Sequence, residues 1–140
     1  VFCSGVLLGG RDGALVGGIT MLIFSLLNPY GPVHPLVSVA QVLGMALAGW
    51  AGAFAARIRL PERSARVRAV WLAAIAIPVT LFFDLVTNAA TGVVFGQMRL
   101  TLIAGIPFSL WHVGYNIALF AALGTPLVAV CWRYAARLSS

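Results

Sequence analysis

Hydrophobic residues fall along this chain in five blocks, with most of the charged residues between them. The first block, residues 1–9, is too short to cross a bilayer. Gly10 to Gly13 predict a tight turn, and longer apolar runs follow over about residues 13–27, 36–56, 69–95 and 102–132. A helical span takes about 20 apolar residues, so the pattern predicts four full spans and one partial span. The segment NPYGPVHP, Asn28 to Pro35, must break any helix because of its prolines and glycine. Pro107 and Pro126 lie inside the last run, where neighbouring helices re-satisfy the freed backbone groups.

Composition turns these runs into a fold class. The chain has 140 residues, 61% hydrophobic and 9% charged, and its mean hydropathy is +1.02. That lies far outside the range of soluble globular domains. The expectation is an all-α polytopic membrane helix bundle, one domain over residues 1–140, with no room for a second.

Charge then sets the topology. All nine basic residues are arginine and the formal net charge is +6. Five of them, Arg57, Arg59, Arg63, Arg66 and Arg68, crowd one connector. Such a loop stays cytoplasmic, so the charge is a topology signal and not a nucleic-acid footprint. Alternation puts Arg11, Arg133 and Arg137 on the same side, with NPYGPVHP and the loop carrying Arg99 outside. Cys3 and Cys131 form neither a CxxC pair nor a ligand cluster and are read as packing residues. The opening VFCSGVLLGG has no signal-peptide character. It looks like the tail of a helix begun earlier, as a GTG-type start or a truncated reading frame would both produce.

Small residues recur every fourth position at Ala40, Gly44, Ala48, Gly52 and Ala56. This stripe lets helix backbones approach closely, either for packing inside the bundle or, through Gly44, Ala48 and Gly52, for docking a second membrane subunit. Gly5, Gly9, Gly13 and Gly17 repeat the spacing across the predicted turn.

Polar residues inside the spans are few and fall at a similar depth. Gln41 lies near the outer end of its span, beside Ser38. Asp84 and Asn88, in FFDLVTNAATG, lie roughly three to four turns beyond the cytoplasmic start of theirs. His112 and Asn116 occupy the outer-to-middle part of the last span, flanked by Trp111 and Tyr115. A carboxylate in the bilayer costs roughly 2.5–3.5 kcal/mol on insertion scales and usually faces a bundle interior or wet cavity. Asp84 is therefore expected to face an outward-open pocket; the alternative is that Asp84, Asn88 and His112 only cross-link helices. His34, with Tyr30 in the outer loop, reads as a loop residue or part of a lid.

Catalytic patterns are poorly supported. There is no HExxH, GxSxG or Walker loop, the lone glutamate, Glu62, lies in the connector, and Ser109 with His112 is a spacing that chance supplies often. No enzyme, metal or cofactor is expected.

The stretches LLGGRDGALVGGITMLIFSLLNPYGP, DLVTNAATG and GIPFSLWHVGYNIALFAALGTPL together resemble the substrate-binding S components of energy-coupling factor (ECF) transporters, which bring vitamins and related micronutrients into prokaryotes. The resemblance implies a six-helix fold whose first helix is missing from this chain, both termini cytoplasmic, and a pocket near the outer face built from the last three helices. It implies Gln41, Asp84, Asn88, Trp111, His112, Tyr115 and Asn116 as the substrate-binding set. It also implies a transmembrane coupling subunit and two ATPase subunits as partners in a prokaryotic plasma membrane. The family's docking motif and lid would precede Val1. One acid, a histidine, amides and aromatics suit a neutral or cationic ring compound better than a polyanion. The rival readings are a small structural or assembly membrane protein, and a solitary proton-coupled carrier using Asp84 and His112, for which no inverted repeat is visible.

Overall fold

The computed structural model describes residues 1–29 and 31–138, with side chains placed through residue 135; Tyr30 lies outside the described residues. The elements are α1 (Phe2–Leu8), α2 (Gly10–Leu26), α3 (Pro35–Arg57), α4 (Ala65–Phe95), α5 (Met98–Leu119) and α6 (Thr125–Leu138). A 3₁₀ turn, Leu60–Glu62, joins α3 to α4, and a π turn, Phe120–Gly124, makes α5 and α6 one long rod. No strand occurs among the described residues.

Three of these helices, Pro35–Arg57, Ala65–Phe95 and the rod Met98–Ala135, are long and apolar enough to cross a membrane. The second run forms α2, whose 17 residues reach about 25 Å, the short end of the range for a helical span. The first turn is corrected. It sits at Gly9, whose φ of 91° is a conformation that favours glycine, and α2 has already begun at Gly10. At the other break, Pro35 opens α3 and His34 caps it, its Nδ1 accepting from the Leu36 amide at 3.2 Å. This gives the loop histidine a definite structural role.

Consecutive long helices run antiparallel. α4 lies between α3 and α5, α2 covers the far side of α3, and α1 wedges against α2, α3 and α6. α3 and α5 do not pack on each other, so a gap opens between them with α4 as its floor. The start of α2, the end of α3, the start of α4 and the end of α6 share one end of the bundle, where eight of the nine arginines are gathered.

Small residues make this packing possible. A Cβ on Gly49 would overlap the Gly13 carbonyl, one on Gly13 would overlap Gly5 Cα, and one on Gly5 would overlap the Gly49 carbonyl. Three backbones thus meet at a single knot. On the presumed docking stripe, Gly44 is pressed against the Phe83 ring and Gly52 against the Phe2 carbonyl, while Ala48 is buried in the bundle. Within this chain the stripe packs against α1 and α4, the internal-packing alternative of the two. The large apolar residues point outward instead, among them Leu27, Phe95, Leu110 and Trp111. Helix contacts rich in glycine and alanine, inside a shell of large apolar side chains, fit lipid as the surrounding solvent.

The arginine connector is also more than a charge cluster. Arg68 is only 8% exposed. Its guanidinium donates to the Thr125 carbonyl at 2.9 Å, the Pro61 carbonyl at 2.9 Å and the Arg63 carbonyl at 2.8 Å. It ties the connector, α4 and the start of α6 together. Leu60, Leu72 and Val128 belong to the buried apolar core, with Val6, Ala55 and Ile75. Cys3 and Cys131, both half-buried and free, come within hydrogen-bonding reach across α1 and α6.

Candidate functional site

The gap between α3 and α5 holds a cavity of about 420 Å³, within the size range of small-molecule sites. Gly44, Met45 and Ala48 of α3 form one wall and His112 and Asn116 of α5 the other. Val79, Thr80 and Phe83 of α4 form the floor, and Val1, Phe2 and Phe120 close the arginine-rich end. Gly44 and Ala48 on α3 leave space here that larger side chains would fill. Phe2 and Phe120 meet edge to face with centroids 5.2 Å apart, a firm apolar base.

One carboxylate stands behind this cavity. Asp84 is 3% exposed, and its Oδ1 lies 2.8 Å from His112 Nδ1. A carboxylate accepts, so with Asp84 ionised the imidazole donates to it from Nδ1. The imidazole is held between Phe83, at 6.3 Å and nearly perpendicular, and Phe108, at 5.3 Å and tilted. Asp84 Oδ2 is buried without a hydrogen-bond partner among the described residues. An unpaired carboxylate oxygen costs free energy comparable to a lost hydrogen bond or more.

The second polar contact is Asn116 Nδ2 donating to Thr80 Oγ1 at 3.0 Å. Thr80 was not singled out from sequence, although it precedes Asp84 by one helical turn and so shares its face. His112, Asn116 and Thr80 are therefore the polar residues among otherwise apolar walls. Removing this pair should have a small, measurable effect. A double-mutant cycle with Thr80→Val and Asn116→Leu is expected to give a coupling of about 0.6 kcal/mol in thermal unfolding, and a coupling indistinguishable from zero would mean the contact does not hold α4 to α5.

Four of the seven sequence-predicted residues lie away from the cavity. Gln41 accepts from the buried Ser25 hydroxyl at 3.1 Å and joins α3 to α2. Asn88 packs against Gly105 on the opposite side of the α4–α5 contact, in a groove with Leu85 and Ser109. Trp111 is 74% exposed and Tyr115 55%, both on the outside of the bundle. When His112 and Asn116 face inward, the residues just before each are turned away by about 100°. Asp84, His112 and Asn116 are the three brought together. Among the described residues no group of three or more metal-binding side chains occurs.

No family model, curated protein or solved structure matches the chain.

Proposed function

We propose that this chain is a membrane-embedded substrate-binding subunit of an ATP-driven importer of the ECF type, capturing a small vitamin-like or micronutrient ligand. The observation that carries the reading is the cavity between α3 and α5, apolar on most sides, with His112 and Asn116 on one wall and the buried Asp84 behind His112. A water-filled or ligand-filled recess is where a costly intramembrane acid belongs. In this reading the arginine-rich end is cytoplasmic by the positive-inside rule, in a prokaryotic plasma membrane. A coupling membrane subunit and two ATPases supply the energy. The polar groups and apolar walls suit a compact, neutral or cationic ring compound, with His112 and Asn116 as its polar partners.

A second reading is favoured by one specific observation: both polar contacts, Asp84 with His112 and Thr80 with Asn116, run between α4 and α5. They would serve equally as cross-links in a structural or assembly subunit. Asp84→Asn separates the two. In the importer reading, small molecules that co-purify with the wild-type chain, identified by mass spectrometry of the denatured eluate, are lost or reduced roughly tenfold or more in Asp84→Asn. A charge-assisted hydrogen bond contributes about 1.5–3 kcal/mol, whether the acid acts directly or through His112. The fold stays intact, with an unchanged helical signal. Unchanged retention with a lowered unfolding temperature would instead support the cross-linking reading. Purification from the native host in mild detergent tests the partners: two ATPases and a larger membrane subunit should accompany the chain.

A further inference from the structure

A second recess, of about 540 Å³, lies on the outside of the bundle between α2 and α3. Ala14 and Gly18 of α2 and Val42 and Ala46 of α3 line it, and Arg11 and Trp50 stand at its arginine-rich end. We infer that this groove is a binding site for one anionic glycerophospholipid, an acyl chain lying along the small residues and the phosphate meeting Arg11. The proposal is independent of whether the inner cavity takes a ligand.

Length supports the occupant. From Arg11 to Leu22 the groove runs 11 residues of α2, about 16 Å of helix. That matches one leaflet of a hydrocarbon core about 30 Å thick. Shape supports it as well. The small residues Ala14, Gly18 and Ala46 and the exposed apolar Leu15, Ile19 and Leu22 line it together, a surface suited to an acyl chain.

Charge complementarity decides between lipid classes. Arg11 is exposed and makes no salt bridge among the described residues. It sits at the end where seven other arginines gather against only Asp12 and Glu62. Asp12, one residue on, is turned about 100° around the helix and does not line the groove. The indole nitrogen of Trp50 lies beside Gly10, so its N–H is at the same level as the arginine and provides a neutral donor at the interface. An anionic headgroup is therefore favoured over a zwitterionic one.

The test is native mass spectrometry of the full chain in detergent, titrated with dioleoyl phosphatidylglycerol or dioleoyl phosphatidylcholine. The expected result is a single phosphatidylglycerol adduct retained at collision energies that strip phosphatidylcholine. Arg11→Gln should reduce that preference roughly fivefold, the effect of one basic residue at an anionic surface. Gly18→Leu, which fills the groove, should reduce retention of both lipids. Arg11→Gln changes an exposed side chain and decides the question alone if Gly18→Leu does not fold. Equal retention of the two lipids by the wild type, or an Arg11→Gln preference equal to that of the wild type, would overturn the proposal. So would displacement of the adduct by millimolar inorganic phosphate, which would indicate a plain anion site without a chain-binding groove.

Discussion

Replacing Gly49 with alanine is expected to lower the unfolding temperature of the chain sharply. The added Cβ would overlap the carbonyl of Gly13, and the obstruction is backbone on the facing helix, so no side-chain rotation relieves it. α2 must move off α3, and because Gly5 contacts both Gly13 and Gly49, α1 moves with it. The expected loss is about 3 kcal/mol, at the upper end of overpacking effects. Gly18→Ala is the matched control. Its Cβ would meet only the tip of Val42, at 3.4 Å, so the change is expected to fall within about 0.5 kcal/mol. Differential scanning fluorimetry in detergent reads both. Equal unfolding temperatures for the two variants would show that the three backbones are not in close contact at Gly49.

Arg68→Ala is expected to have the second large effect. Three carbonyl oxygens, on Pro61, Arg63 and Thr125, lose a charged donor. Each charge-assisted hydrogen bond contributes about 1.5–3 kcal/mol, so even with partial rescue by water the loss should reach about 3 kcal/mol. Arg68→Lys keeps the charge but not the planar fork that reaches three acceptors, and it should recover less than half of the loss. Local opening provides a second readout. In Arg68→Ala, residues 58–64 become the first site of proteolytic cleavage, because the connector is no longer tied to α6. If the alanine variant resists protease and melts as the wild type does, the guanidinium contributes charge alone.

The two predictions also show what the amino-acid pattern concealed. The long apolar runs, the break at NPYGPVHP and the collection of arginines at one end were legible, because each follows from composition along the chain. The pairing of Asp84 with His112 was legible too, as two costly groups placed to meet. Gly49 was missed because it lies one residue off the four-residue stripe running through Gly44, Ala48 and Gly52. Close approach is set by the crossing point of two helices, and periodicity within one helix does not locate that point. Arg68 was grouped with its neighbours in the connector. Its signal is its position beside Val67, Ala69 and Val70, already inside an apolar run, where an unpaired cation would not be tolerated.

The residues lining the cavity differ from the set read along the sequence for a related reason. Trp111 and Tyr115 are adjacent in sequence to His112 and Asn116, but adjacency on a helix means different faces. Asn88 follows Asp84 by one turn, yet it meets α5 at Gly105, away from the cavity. Thr80 lies one turn in the other direction, and there α4 and α5 enclose the cavity wall. Depth along a helix was therefore a weaker guide than the face each residue shares with Asp84.

The π turn at Phe120–Gly124 sits just before Pro126, a residue with no amide hydrogen to give its helix. Its wider winding inserts a phase shift into a rod that otherwise reads as one continuous helix. A helical wheel drawn unbroken from His112 to Cys131 therefore assigns the second half to the wrong sector. The half carrying His112 and Asn116 and the half received by Arg68 keep separate angular registers.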